Sequence, residues 1–436
     1  MPSQSINHYR QTIYARTEDA WWHSVIGLHA VYWAPLGLAC AVPPLSRPQP
    51  ESSPIADSTM RIDLCPYAER ETQLLAPYAL KSGQSHGRVV PEADQSYRSP
   101  FQRDRDRIVH SSAYRRLSDK TQVFTGLGDY HRTRLTHTIE VVSIARTIGR
   151  ALRLNEDLIE ALAHLHDIGH PPYGHAGEDA IAECMCDVGG FSHNQFGLIL
   201  VQNLETRCPE YEGLNLTYEV LEGQITRVDK RQMTFLQPLL EAQTVEAADS
   251  MTYDAHDTDD ALKLGLVSIE QLAEVPLIQE CLARIENRWG KLDPRHLRKA
   301  LAHQLVDIQV RDLLDCSLAK LNQHLPTSPE QAEACPALIL PSEALSEKKR
   351  ELERFLFTQV YRHPEIIRFR DRVQGQLKRM FEGYLGRPEL IREKLQARID
   401  SWGLPRVVGY YLATMTDTFC SEEYERHFAP ARPTDP

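Results

Sequence analysis

The sequence predicts an all-α protein: one large helical bundle with a helical C-terminal extension. Three observations carry that expectation. Apolar residues recur at helical spacing through most of the chain beyond about Tyr97. Alternating strand patterns are scarce, and there is neither a heptad run nor a repeat with a period of about 20–50 residues. Caps, glycines and prolines punctuate the periodic stretches where helices should start and stop.

Taken in order, "FQRDRDRIVHSSAYRRL" places Phe101, Ile108, Val109, Tyr114 and Leu117 at irregular but helix-compatible spacing. "THTIEVVSIARTIGRAL" is more regular, with Ile139, Val142, Ile148 and Leu152 as the apolar stripe and Thr136 as the expected N-cap. "NEDLIEALAHLHDIG" opens on an Asn155 cap and an acidic first turn, then stops at Gly169 before Pro171 and Pro172. "FSHNQFGLILVQNLE", "PLLEAQTVEAADSMTYDAHDTDDALKLG", "HLRKALAHQLVDIQVRDLLD" and "SEKKRELERFLFTQVYRH" read as further helices. The expected organisation is an atypical extension and linker over 1–60, a core over 61–365, and a helical C-terminal region with a polar tail over 366–436.

Composition bounds the function. The chain has 436 residues and a formal charge of -11, long enough for a large core and too acidic for a general duplex or anionic-membrane binder. One stretch departs from that balance: Arg98 to Arg134 holds nine Lys/Arg against four Asp/Glu. It suits a small polyanionic ligand, with a face of internal ion pairs as the alternative. The nine cysteines form no framework, and the lone C-x-C of Cys184 and Cys186 lacks a partner pair for zinc, which points to reduced thiols in a cytoplasmic protein. The apolar run "VIGLHAVYWAPLGLACAV" is short for a span of about 20 residues and carries Pro35 and His29. It reads as part of an extension ahead of a working protein that starts near Met60, with an anchor or signal as the alternative.

The chemistry concentrates in "ALAHLHDIGHPPYGHAGEDA", which crowds His164, His166, His170 and His175 beside Asp167, Glu178 and Asp179. An adjacent His166–Asp167 pair offers one nitrogen and one oxygen ligand to a divalent cation, so further donors must come from elsewhere. His137 on the preceding helix and Asp249 in an Ala- and Val-rich helical run are the candidates. Each alone reads more readily as an ordinary core or surface residue.

In the order His137, His166–Asp167, Asp249, this constellation resembles the ligand series of HD-domain metal-dependent phosphohydrolases. The blocks "KTQV", "RTRLTHTIEV", "HDIGHPPYGHAGEDA", "GGFSHNQ", "GLNLTYEVLEG" and "FLFTQVYRHP" are similar to those of deoxyguanosinetriphosphate triphosphohydrolase-like proteins, over roughly Leu75 to Pro364. The resemblance implies an HD-domain helical bundle, often oligomeric, that cleaves dNTPs to the deoxynucleoside and tripolyphosphate. It implies one divalent ion, Mn²⁺, Mg²⁺ or similar, held by His137, His166, Asp167 and Asp249. It assigns proton donation to His175 with Glu178 behind it, and places His170 and His193 near the triphosphate. Arg134 matches a phosphate-contacting arginine, while Gln122, Tyr253 and Asp257 match residues that read the deoxyribose. A homo-oligomer is expected, an activating dNTP at a separate site is an option, and neither duplex nucleic acid nor membrane is an expected partner.

Two departures fall beside the sugar pocket: "SD" in "RRLSDKTQV", where the family has an apolar or aromatic residue, and the short "TGLGDYH". The G-x-G in "TGLGD" has neither the strand nor the helix of a dinucleotide site, and "DAHDTDD" lacks the glycine and terminal glutamate of a calcium loop. Two other readings remain open at this level: an HD phosphohydrolase for a different phosphate ester, and a non-catalytic nucleotide-binding scaffold.

Overall fold

The computed structural model describes residues 65–122, 132–228 and 236–429. The expected N-terminal extension, the "TGLGD" turn and most of the polar tail lie outside them. Within the described residues the fold is all-α, with isolated bridges and no strand. No helix there is long and apolar enough to cross a membrane.

The helices that build and flank the site are numbered in chain order: α1 (Pro100–Val109), α2 (Arg134–Ala151), α3 (Glu156–Leu165), α4 (Gly174–Cys184), α5 (His193–Ile199), α6 (Tyr218–Val228) and α7 (Leu240–Lys263). There follow α8 (Pro276–Trp289), α9 (Pro294–His324), α10 (Glu343–Leu356), α11 (Pro364–Gly386), α12 (Leu404–Ala413) and α13 (Asp417–His427). Local chemistry sets many of the starts. Ser99 and Gln102 form a capping box with Pro100 at the first position of α1, and Asn155 accepts from the amides of Asp157 and Leu158 to start α3. Such a cap contributes about 1 kcal/mol.

Two expectations need correction. The first periodic stretch is two helices, because Ser111 caps a separate short helix, Ser112–Arg116. Thr133, not Thr136, caps α2 by accepting from the Thr136 amide. The buried stripe of α2 is therefore His137, Thr138, Val141, Ala145 and Ile148, and Ile139 stands 53% exposed. An apolar count misses a face whose inward positions are polar because they carry the site.

The packing forms two cores. One gathers α1–α7 with residues of α11, α12 and α13, including Leu377, Tyr384, Val407 and Tyr424. The other lies among the far end of α7, α8, the start of α9 and α10, around Ile278, Leu305 and Leu352. Helix α7 belongs to both, and it packs on α2 and α3. The "RDRDR" stretch is absorbed into the fold: Arg103 and Arg107 pair with Glu92, and Arg105 reaches Glu160 at 2.6 Å. Arg107 also donates to the carbonyls of Leu214 and Asn215. The internal ion-pair alternative holds for these arginines.

Candidate active site

Helices α2 and α7 and the turn that follows α3 bring His137, His166, Asp167 and Asp249 to one point. His137 Nε2 lies 3.0 Å from Asp249 Oδ1, and His166 Nε2 lies 3.6 Å from Oδ1 of both Asp167 and Asp249. The His166 ring is oriented by its Nδ1, which donates to the Ala163 carbonyl at 2.7 Å. Its Nε2 is buried and has no hydrogen-bond partner. A bare imidazole nitrogen facing two carboxylates at the meeting of three helices fits a divalent cation. Ligand atoms of His137, His166 and Asp167 lie within 4.8 Å of one another.

The carboxylates are held ionised. Burial pushes Asp249 up, but His166, His137 and Arg227 overcome it and hold the carboxyl well below its usual range. Arg227 of α6 donates to Asp249 Oδ2 at 2.7 Å. Asp167 is treated alike: burial opposes ionisation, while His166, Arg134 and His170 enforce it. The fully buried Arg134 donates to Asp167 Oδ2 at 2.9 Å and to the Gln122 carbonyl at 3.3 Å. This arginine links the HD pair to the "KTQV" segment.

A second group surrounds Glu178 on α4. Glu178 Oε2 lies 3.2 Å from His175 Nδ1, and Oε1 lies 2.8 Å from His193 Nδ1 while also accepting from the His193 amide. Burial works against this carboxylate, yet its hydrogen bonds from His175 and His193 keep it strongly ionised. His193 stacks on His170 with centroids 3.7 Å apart, and His170 Nε2 lies 3.2 Å from Asp167 Oδ1. Burial, Arg134 and His193 drive the His170 pKa well below the usual histidine value. The His175 side chain is 58% exposed, open to a ligand above the buried cluster.

Backbone geometry makes this crowding feasible. A Cβ at Gly169 would lie 2.1 Å from the His193 carbonyl, so only glycine lets the two loops touch. Gly174 follows Tyr173 in the left-handed region, at φ +58° and φ +61°, where the chain turns into α4. A side chain at Gly174 would also press to 3.0 Å from the Arg134 guanidinium.

Eight residues beyond Asp249, α7 presents a different environment. Tyr361 hydrogen-bonds both Asp257 and the Tyr253 hydroxyl, and the two tyrosine rings stack. Burial raises Asp257 to about 8, and neighbouring Asp260 and Asp254 add to the rise. Its Oδ1 is buried without a partner, as is Gln122 Oε1. The nearby positive charge of Arg134 is felt at the Tyr253 hydroxyl, tying this end to the metal cluster.

Several of these residues had no role in the sequence reading. Tyr361 lies in the block "FLFTQVYRHP" and reaches the site because the chain makes a π-helical turn over Phe357–Tyr361; such turns often mark functional positions. Arg227, His256 and Glu140 gave no signal. Asp417, at the start of α13, accepts from Thr121 and from the Tyr173 amide at 2.8 Å, pinning the loop ahead of His175. Lys120 is buried with its pKa pushed down to about 7 by desolvation and Arg116, and it donates to the carbonyls of His170 and Ala413.

The HD domain model matches residues 134–254, which hold all four proposed ligands, and the phosphohydrolase-associated domain matches 339–426, which hold Tyr361 and Asp417. The chain is 41% identical over 367 residues to the deoxyguanosinetriphosphate triphosphohydrolase-like protein of Ralstonia pickettii (strain 12J), covering 81% of this chain and 95% of that one. It belongs to that family. The protein of the same name in Geobacter sulfurreducens is 42% identical, with 82% and 95% covered. In Ralstonia nicotianae it is 40% identical, with 85% and 98% covered. The family places the chain among HD-domain phosphohydrolases, whose His/Asp cluster is suited to a divalent metal.

Proposed function

We propose that this HD-domain family member hydrolyses dNTPs to deoxynucleoside and tripolyphosphate, with His137, His166, Asp167 and Asp249 holding one Mn²⁺, Mg²⁺ or similar ion. One observation carries the reading. Five of the eleven buried side-chain polar atoms without partners among the described residues sit on the residues matched to metal, phosphate and sugar: His166 Nε2, His170 Nδ1, Arg134 Nε, Gln122 Oε1 and Asp257 Oδ1. Unpaired buried polar atoms are costly and rare, and five on these residues support a polar ligand and a cation here.

When bound, the cation supplies charge compensation for the phosphoryl oxygens and activates the water nucleophile. Arg134, His170 and His193 hold the triphosphate. Water adds to the α-phosphorus and releases a proton to solvent, the bond to the 5′-oxygen breaks, and His175 gives its proton to that oxygen and is reprotonated from solvent. Glu178 holds the His175 ring through Nδ1, leaving Nε2 to face the leaving group. Gln122 and Asp257 hydrogen-bond the 3′-hydroxyl, and the Tyr253 ring fills the place of a 2′-hydroxyl. The working form is a cytoplasmic homo-oligomer that acts on free nucleotides, with an activating dNTP bound elsewhere as an option.

The test is a product assay with Mn²⁺ or Mg²⁺ and each dNTP, singly and in pairs, resolved by chromatography and ³¹P NMR. Tripolyphosphate plus deoxynucleoside supports the proposal; pyrophosphate or orthophosphate places the scissile bond elsewhere. No turnover by metal-loaded protein moves the reading to another phosphate ester or to a scaffold. His175→Ala should keep metal and fold and lose about 10²–10⁴-fold in kcat.

A further inference from the structure

Behind His137, on the side away from Asp249, two more side chains stand in line. His137 Nδ1 lies 3.1 Å from His256 Nδ1, and His256 Nε2 lies 2.6 Å from Glu140 Oε2. The other oxygen of Glu140 accepts from Arg132 at 2.9 Å. Both rings are buried, while the carboxylate sits half exposed at the outer end.

Each contact holds one proton, and the protons can be assigned from the outer end inward. Glu140, paired with Arg132, is a carboxylate that only accepts, so His256 Nε2 carries a proton. A neutral His256 then has a bare Nδ1, and the hydrogen between the two rings belongs to His137 Nδ1. His137 Nε2 is left with a lone pair that faces Asp249 Oδ1 at 3.0 Å. Two electron-rich atoms so placed repel each other unless a cation lies beside them. The reverse order would set a bare His256 nitrogen against a carboxylate or put a second proton, and a net charge, on a buried ring.

We infer that His256 and Glu140 are positioning residues for the metal centre, a two-bond relay that fixes His137 as its Nδ1–H tautomer and presents Nε2 to the cation. The inference rests on the metal reading above. Partners of this kind orient metal-binding imidazoles generally. His166 uses the Ala163 carbonyl directly, whereas His137 reaches its carboxylate through an intervening ring. The relay also ties α2, which carries Glu140 and His137, to α7, which carries His256 and Asp249.

The test is Mn²⁺ titration of the full chain by calorimetry, with the His137 tautomer read from ¹⁵N NMR. His256→Leu should weaken Mn²⁺ binding about 10–100-fold and release His137 from the Nδ1–H form. His256→Gln should restore most of that affinity, because its oxygen accepts from His137 while its amide nitrogen donates to Glu140. A purely packing role predicts the opposite order, with the apolar variant tolerated at least as well. Unchanged affinity in His256→Leu, or an Nε2–H tautomer of His137 in the wild type, overturns the relay. His166→Ala separates the two readings: loss of Mn²⁺ there with full binding in His256→Leu defeats the relay alone. A wild type that binds no Mn²⁺ defeats the metal site itself. Should His256→Leu fail to fold, Glu140→Ala at the half-exposed end decides, since it removes the acceptor, and unchanged affinity and tautomer there overturn the proposal.

Discussion

Asp249 and Asp257 lie on the same face of α7, two turns and about 12 Å apart along the helix axis. Asp257 is buried and Asp249 is partly buried, its side chain 23% exposed, yet their chemistry is opposite. Asp249 is surrounded by His137, His166 and Arg227 and stays ionised although desolvation opposes it. Asp257 meets two tyrosine hydroxyls and two other acidic groups and keeps its proton to about pH 8. Desolvation opposes charge at both, so it does not by itself decide the charge; the partners do. The difference splits the site into an end that carries charge to hold a cation and an end that carries a neutral carboxyl to hydrogen-bond a sugar.

The comparison breaks most directly through a matched pair of amide substitutions. Asn has the shape of Asp without its charge. Asp249→Asn should lose Mn²⁺ binding and drop turnover by about 10³-fold or more, since the cation is asked for several kcal/mol of transition-state stabilisation. Asp257→Asn should stay within about tenfold of wild-type kcat/KM, because the neutral carboxyl is replaced by another neutral group that still pairs with Tyr361. Calorimetry for the metal and initial rates for turnover check both. Equal losses at the two positions would mean that Asp257 works ionised, and the division of the helix would fail.

Stability against pH sharpens the same contrast. Asp257 rises from an unfolded value near 3.8 to about 8 in the fold. Between those values the native state binds a proton that the unfolded chain has released, so its contribution is full below about 3.8 and is lost as pH rises through 8. Asp249 runs the other way: its contribution is present above 3.8 and is lost as pH falls well below that value. Asp254, raised by burial to about 6, and Glu241, raised by burial to about 7, also weaken the fold as pH rises. Asp257→Asn should therefore remove one proton's share, about 1.4 kcal/mol per pH unit, from the falling slope between pH 5 and 7. Denaturant unfolding of metal-free protein over that range measures it, and an unchanged slope would place Asp257 in its ordinary ionised state.

The ends of α7 also differ in how far they were legible in the sequence. His137, His166, Asp167 and Asp249 formed a recognisable order, and the i, i+3 spacing of His175 and Glu178 led to the observed contact. Legibility failed where the deciding partner is remote. Tyr361 lies 108 residues from Tyr253, and Asp417 lies 244 from Tyr173. The basic stretch looked available to a polyanion because Glu92 and Glu160, which neutralise it, lie at other points of the chain. The register of α2 was misjudged for a different reason. Its buried face holds His137 and Thr138 while Ile139 looks outward, so polarity and burial part company where the chemistry is.

The smallest expected effect comes from the Tyr361 hydroxyl, which belongs to the sugar end alone. It donates to Asp257 Oδ2, and that bond favours the ionised carboxyl, holding the pKa lower than burial and the neighbouring acids would set it. Tyr361→Phe removes the donor and leaves the ring. The Asp257 pKa should then climb above about 8, and the pH at which its contribution to stability is lost should move up with it. The lost hydrogen bond should cost about 0.5–1.5 kcal/mol, held down because the oxygen left without its donor belongs to a neutral carboxyl and not a charged one. Mn²⁺ affinity should be untouched, since the Tyr361 hydroxyl bonds Asp257 and Tyr253, toward the other end of α7. Thermal unfolding from pH 6 to 9 with and without Mn²⁺ reads all three quantities. A downward pH shift would mean that the hydroxyl accepts from a protonated Asp257, and altered Mn²⁺ affinity would mean that the two ends of α7 are coupled through Arg134.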